Sequence, residues 1–429
     1  MKSLDITVPL DSPGILVPHL TNNKYDSYKI TKIKGALTNV IYKLSIYLDG
    51  GCQNYLVRIY GSKMTSLVNR EDELKNIKIV PKEVGFVKIL LPFNNGRVES
   101  FLDGFKSLSQ SEMVNVRYAK VIAKNFAILH FKSVPLEGED INIYDHGFVW
   151  EKIQNWISII ESPMGQDWLI KNKRSNVHNV LLSKDWNTFK HIITKYKNWL
   201  LNDYTGSSHS LLFCHNDTQQ GNILVEESTR DDDEPNIKFI DYEYSGPNFI
   251  DFDLSNYLTE CMHDYEVDSN EAYKCIGSKY PSKKHIFEFV DSYLMTKSNL
   301  GVSPNKEEIK KLYNNIIKWR AATQLFWALW AILQSGDLTS LKNDKENTNP
   351  YDEYDVETLS SSDDKSTRDG VVADDSDDDD DDDDDEPFNY LGFCKDKLSF
   401  FWGDLIKFGI ASKDNCIIEK IQYLDTELY

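Results

Sequence analysis

Residues 214–224 read CHNDTQQGNIL, which sets a histidine, an aspartate and an asparagine in front of a short apolar run. Taken alone, such a stretch is more often a polar turn ahead of a strand than a catalytic loop. His215, Asp217 and Asn222 nonetheless fit the spacing H-x-D-x-x-x-x-N. A loop that transfers a phosphoryl group needs an aspartate to take the acceptor's hydroxyl proton. Five residues on, it needs an asparagine carbonyl to hold Mg²⁺. The segments that follow favour this second reading. NILVEE and NIKFIDY predict two strands joined by the polar loop 227–236, and Asp241 ends the second, nineteen residues after Asn222. In a kinase layout a second metal-binding acid stands there, with Tyr242 and Glu243 here replacing Phe-Gly.

Upstream, SYKITKIKG, NVIYKLSIYL and NYLVRIYG alternate apolar and polar side chains and predict three strands within residues 28–60. A helix is expected from about Leu67 to Val80, then a strand pair in FVKILLPFNNGRVESFL with NNG as its turn. From about Ser107 the period becomes helical through SEMVNVRYAKVIAKNFAILHF, with further helices over 149–204, 251–263, 283–295, 305–334 and 389–410. The turn KGALTNV (34–40) holds a single glycine, Gly35, and reads most simply as a hairpin tip. Arg58 lies on the third strand, where protein kinases place a phosphate-binding lysine, and its guanidinium can bind phosphate oxygens in a fork. Glu71, Asp72 and Glu73 on the next helix are available to orient it.

The chain of 429 residues is long enough for two lobes, and 41% of it is hydrophobic. Its net charge of −20 is unevenly spread: residues 343–387 hold 21 acidic and 3 basic side chains, so the rest is nearly neutral. That segment ends in nine aspartates (377–385) and Glu386, and such a run buries too little apolar surface to fold. It is expected to be a disordered, catalytically dispensable insertion; Ser360, Ser361 and Ser376 precede acidic residues and fit sites for acid-directed serine kinases. Nothing is basic enough to make nucleic acid a primary ligand. The six cysteines show no CxxC pair, which argues against a zinc cluster and a secreted disulfide scaffold. No signal peptide is evident. The most apolar stretch, 319–333, is too short to span a bilayer and contains Arg320 and Gln324, so a cytoplasmic protein is expected.

CHNDTQQGNIL, FIDYEYSGPNFIDFDLSNYLTE and WRAATQLFWALWAILQSGDL together resemble the choline/ethanolamine kinase family, particularly its fungal members. LVRIYGSKMTSLVNREDEL and FNNGRVESFL extend the likeness, which covers roughly residues 28–340 and resumes at 388–410. The resemblance implies an α+β, protein-kinase-like bilobal fold with a small β-rich N-lobe and a larger, mainly helical C-lobe. It places an N-terminal extension at 1–27, the N-lobe at 28–104 and the C-lobe at 105–339. The acidic insertion follows at 340–387, and 388–429 completes the C-lobe. Asp217 would be the base, with His215 in the same motif, and Asn222 and Asp241 would hold Mg²⁺. Gly35, Thr38, Asn39, Arg58 and Glu99 would serve ATP, with Glu73 the expected partner of Arg58 and Glu71 in reserve.

The acceptor implied by the resemblance is a small cation. Choline's trimethylammonium has no N–H to donate, so aromatic faces and carboxylates are what attract it. Trp327 and Trp330 lie three apart and share a helix face, a pattern that without context is more often core. The resemblance makes them amine-binding, with Tyr244, Glu260, Tyr265, Phe388 and Phe393 around them. Two departures stand out: Cys261 occupies a position where choline kinases usually have Trp, and Phe393 one where they have Tyr. The expected activity is choline kinase, ATP and choline giving ADP and phosphocholine for phospholipid synthesis. Ethanolamine kinase is the alternative, and an inactive protein acting through its acidic tract is the remote one. The sequence leaves a homodimer open.

Overall fold

The computed structural model describes residues 3–33, 39–60, 70–85, 87–133, 147–162, 180–202, 211–230, 232–267, 271–298, 304–335 and 388–429, which fall into two compact units. Gly35, Thr38 and the acidic insertion lie outside the described residues, as does the side chain of Glu71.

The first unit is an antiparallel sheet of order β1-β2-β3-β5-β4, formed by Ser27–Ile33, Asn39–Leu48, Gly51–Tyr60, Gly96–Ser100 and Ile89–Phe93 respectively. Asp49 (φ 51°) and Gly50 (φ 75°) turn β2 into β3 with Leu48 paired to Gly51. This two-residue turn requires positive φ at both positions, which aspartate tolerates and glycine favours. Alternation puts Val57, Ile59, Val98 and Leu44 on one face, all at 0% exposure. The N-terminal segment covers that core: Leu16 and Val17 are fully buried, the Leu4 N–H donates to the Pro92 carbonyl, and Tyr42 Oη donates to that of Leu10. On the opposite face β3 and β5 align Arg58 with Arg97, and Glu99 lies two residues along from Arg97.

In the second unit the expected long helix after Ser107 divides. A short helix, Gln110–Met113, is capped by Ser109 and Glu112 in a reciprocal box, and Asn115 then caps Val116–Lys132. Two caps within seven residues, each satisfying otherwise orphaned N–H groups, explain the break. Three strands too short for periodicity to reveal complete small sheets. Phe105–Ser107 (β6) pairs with Ile223–Glu226 (β8), which pairs with Ile237–Phe239 (β9). Leu212–Cys214 (β7) pairs with Gly246–Asn248 (β10).

One core of this unit joins Phe148–Glu161, Trp186–Asn202, Lys306–Gln334 and Tyr390–Lys407 around Trp150, Trp156, Trp319 and Trp402. The second joins Val116–Lys132, Ile250–Glu260 and Lys283–Lys297 to β8 and β9. In chain order the helices are α1 (Val17–Thr21), α2 (Arg70–Ile79), α3 (Gln110–Met113), α4 (Val116–Lys132), α5 (Phe148–Glu161), α6 (Trp186–Asn202), α7 (Ile250–Glu260), α8 (Lys283–Lys297), α9 (Lys306–Gln334) and α10 (Tyr390–Lys407). Among the described residues no helix is long and apolar enough to cross a membrane. The helix α9 is apolar nearly all round from Trp319 to Leu333, as a helix enclosed by its neighbours should be.

The packing of α9 on α10 carries one buried ion pair. Arg320 donates from Nε and NH2 to both oxygens of Asp404, at 2.8 and 2.6 Å, and its guanidinium lies 4.7 Å from the Tyr280 ring. Both partners are at 0% exposure. Removing one side would strand a buried charge, so Asp404→Ala should cost about 3–5 kcal/mol in a urea unfolding titration. A loss under about 1 kcal/mol would show that water reaches Arg320 and that the pair does not clamp the two helices.

Candidate active site

Sheet register builds the polar centre of the second unit. Ile223 pairs with Phe239, and one residue further out the Ile240 N–H donates to the Asn222 carbonyl at 3.0 Å. This brings the ends of two distant motifs together. Asn222 then donates from Nδ2 to the Asp217 carbonyl and to Asp217 Oδ2, each at 2.9 Å. Its side-chain oxygen is left as the acceptor end of that amide. Asp241 sits just past β9 at φ 64°, a left-handed conformation rare for a non-glycine residue and most often found where a site demands it.

His215 locks this arrangement. Its Nε2 lies 2.9 Å from the Ile240 carbonyl and must donate to it, so Nδ1 is the acceptor for the Asp217 N–H at 3.3 Å. Complete burial lowers the imidazole's pKa, against the opposing pull of Asp253, which suits that neutral tautomer. The histidine therefore ties the loop to the strand end.

The deeper anchor is Asp253, on the first turn of α7, which the sequence motif contains but which spacing alone does not single out. Its Oδ2 accepts the His215 N–H at 2.7 Å and its Oδ1 the Asn216 N–H at 2.8 Å. His130 Nε2 lies 3.1 Å from Oδ2, and His130 Nδ1 lies 2.8 Å from Tyr293 Oη. Asn216 takes φ 65°, with its amide donating to the Tyr244 carbonyl and accepting from Asn248. His130, Cys214 and Asp253 bring metal-ligand atoms within 4.8 Å of one another. The His130 and Asp253 atoms already serve the hydrogen bonds just described, the Cys214 thiol donates toward the Asn248 carbonyl at 3.6 Å, and burial raises that thiol, so this cluster reads as scaffold.

Around Asp217 negative charge accumulates. Burial, reinforced by Asp241, Glu260 and Glu243, pushes its carboxyl well above the ordinary aspartate value, against the Asn222 amide. A carboxylate whose ionisation is this unfavourable is suited to a cationic ligand beside it. Asp241 and the Asn222 carbonyl supply the hard oxygen donors that Mg²⁺ prefers, and the residues fit that ion.

The aromatic residues form a second group. In α9, Trp327 (6%) and Trp330 (5%) alone between Trp319 and Leu333 retain more than 1% exposure. Their rings meet at 5.7 Å and 80°. Tyr244 stands edge-on to Trp327 at 5.4 Å, Phe393 to Trp330 at 6.4 Å, and Phe388 lies 5.6 Å from Phe393. Indole N–H bonds fix both tryptophans: Trp327 donates to Asn256 at 2.7 Å and Trp330 to Tyr244 Oη at 2.8 Å. Glu260 is buried at the end of α7 and accepts from Tyr265 Oη at 2.8 Å. Cys261 does not join these rings. Its thiol donates toward the Met113 and Tyr257 carbonyls, inside the other core.

In the first unit, Asn39 opens β2 and is buried, and Glu99 lies 3.7 Å from Arg58 while also bonding Arg97. Two guanidiniums thus share one carboxylate on this face of the sheet. Glu73, on α2, is buried in the second unit.

Two measurements probe this construction. Asp253→Asn keeps one acceptor but turns an NH₂ toward the other backbone donor. Exchange of the His215 and Asn216 amides should accelerate by about 10- to 100-fold, as expected for a buried donor left unmatched; unchanged protection would mean that other groups hold the loop. For pH, burial drives His263 down to about 3, aided by Lys397 and opposed by Glu260. A folded value below the unfolded one gives stability that is present above about pH 6.5 and is lost as pH falls towards the folded value. His263→Gln should therefore flatten the pH dependence of the unfolding free energy from urea titrations between about pH 6 and 4.5, by about 1.4 kcal/mol per pH unit. Parallel curves for wild type and variant would contradict a neutral His263.

A family model described as choline/ethanolamine kinase matches residues 30–402. An ethanolamine kinase of Saccharomyces cerevisiae is 35% identical over 99% of this chain and 79% of its own length. A choline kinase of the same yeast is 30% identical over 92% of this chain and 74% of its own. Among solved structures, Plasmodium vivax ethanolamine kinase superposes with a TM-score of 0.56 at 23% identity, covering 72% of this chain and 77% of that one. The choline kinase from Cryptosporidium parvum Iowa II gives 0.58 at 22% identity, covering 77% and 92%. The fold is the α+β, protein-kinase-like one that the sequence led us to expect. With its sheet-built polar centre and matching relatives, the chain belongs to the choline/ethanolamine kinase family, phosphotransferases with an alcohol acceptor.

Proposed function

We propose that this enzyme transfers the γ-phosphoryl group of ATP to the hydroxyl of choline and that ethanolamine is a poorer acceptor. The observation that carries this reading is the residual exposure of Trp327 and Trp330 in an otherwise closed stretch of α9. Core tryptophans on such a helix would be sealed like Trp319 at 0%. Perpendicular indole and phenyl faces offer a methylated ammonium several cation–π contacts, each worth on the order of 0.5–2 kcal/mol.

In this reading Asp217 accepts the hydroxyl proton as the oxygen attacks. Its raised pKa brings it nearer to a working base than an exposed aspartate would be. Asn222 and Asp241 are the proposed Mg²⁺ ligands, and the bound ion would neutralise phosphate charge. His215 and Asp253 keep Asp217 in place without touching substrate. On the first unit, Arg58, held by Glu99, is the proposed phosphate contact, and Asn39 with Gly35 and Thr38 would serve the nucleotide. A cytoplasmic location is part of the same proposal.

A second reading, ethanolamine as the preferred acceptor, is favoured by the higher identity to the yeast ethanolamine kinase, 35% against 30%. Steady-state kinetics with both amines decide between them. Wild type should show the larger kcat/KM for choline, and Trp330→Ala should reduce it by about tenfold more for choline than for ethanolamine. A larger wild-type kcat/KM for ethanolamine, or equal losses on truncation, would overturn the choline proposal and return these tryptophans to the core.

A further inference from the structure

The sequence casts Glu260 as a carboxylate for the substrate's ammonium group. In the structure that carboxylate is already engaged. Lys397 lies on α10 one turn beyond Phe393, is at 0% exposure, and places Nζ 2.9 Å from Glu260 Oε1. The same ammonium lies 5.0 Å from the centroid of the Phe393 ring. The second oxygen, Oε2, accepts from Tyr265, whose ring stacks on His263 at 5.3 Å and 7°. A protein cation thus stands beside one carboxylate and one aromatic ring of the acceptor group.

We infer that Lys397 is a specificity-determining residue, which holds Glu260 as a neutral pair and so tilts the acceptor site towards a quaternary ammonium. The inference rests on the reading that the acceptor is choline or ethanolamine. A primary ammonium carries three N–H donors and, once desolvated, loses heavily unless acceptors replace its water. With Lys397 and Tyr265 on its two oxygens, Glu260 has limited capacity left for those donors. A trimethylammonium donates nothing and needs only apolar and aromatic faces. The pairing therefore handicaps ethanolamine and leaves choline's main attraction intact. Burial pushes Glu260 up, but Lys397 and the Tyr265 hydroxyl outweigh it and hold the carboxyl below its usual range.

The test compares kcat/KM for choline and ethanolamine in wild type, Lys397→Met, Lys397→Arg, Glu260→Gln and the double variant Lys397→Met/Glu260→Gln. Lys397→Met frees the carboxylate and should shift the preference towards ethanolamine by roughly tenfold, the scale of one charge-assisted hydrogen bond, chiefly through a lower ethanolamine KM. Lys397→Arg should stay close to wild type, and the double variant should return to the wild-type ratio. Equal losses for both amines in Lys397→Met, or a double variant that keeps the shifted ratio, overturns the inference. If Lys397→Met does not fold, Glu260→Gln still decides. Unmasking Lys397 should raise KM for both amines roughly tenfold, and adding Lys397→Met should restore it; no restoration overturns the inference. A wild type that phosphorylates neither amine would sink the acceptor assignment instead, a result that none of these ratios can mimic.

Discussion

A buried carboxylate without donors costs several kcal/mol, and Asp253 meets this requirement with the backbone of another segment. Its two oxygens face the N–H groups of His215 and Asn216, 38 and 37 residues earlier in the chain. Once those amides are fixed, Asn216 is held in its left-handed conformation, the His215 ring reaches the Ile240 carbonyl, and Asp217 falls against Asn222. The first turn of a helix, where acidic residues are favoured by the dipole, thereby sets the geometry of a loop it does not adjoin in sequence. Side chains behind Asp253, from His130 to Tyr293, extend the same chain of bonds into the core between α4 and α8.

The polar half and the aromatic half of the candidate site follow different physics. Around Asp217 the carboxylates repel one another, and a cation relieves them. Around Trp330 polar groups pair with one another: indole with phenol, indole with amide, lysine with glutamate. The first half rewards charge wherever it comes from, whereas the second rewards shape and polarisability. An amino alcohol presents both ends at once, a hydroxyl that becomes charged as it reacts and an ammonium that stays charged throughout.

Much of this was legible in the sequence because the decisive residues lie in short, ordered motifs. Asp217, Asn222 and Asp241 come together through strand pairing that the apolar runs NILV and IKF already implied. Trp327 and Trp330 sit on one face because three residues nearly complete a helical turn. What escaped notice depended on tertiary contacts. β6, β7 and β10 are three residues each, too short for any periodicity. The break between α3 and α4 hinges on Asn115 choosing to cap. Asp253 and Asn256 look like ordinary helix residues until their partners are known, and Lys397 gives no local sign of being buried. Cys261 was misleading in the other direction, since its side chain turns into a different core from that of the tryptophans.

The bond between Arg320 and Asp404 joins residues 84 apart, and most of the intervening chain lies between the end of α9 at Gln334 and the start of α10 at Tyr390. Loop closure in a flexible chain grows only logarithmically with length, about 0.6 kcal/mol per doubling. The spacing between two such anchors is therefore far freer to change than the anchors themselves. The same separation orders events during synthesis. The loop at 214–224 and both tryptophans leave the ribosome well before Phe393 and Lys397, so the aromatic group gains Phe393 and its neighbouring cation only after the long intervening stretch has been made.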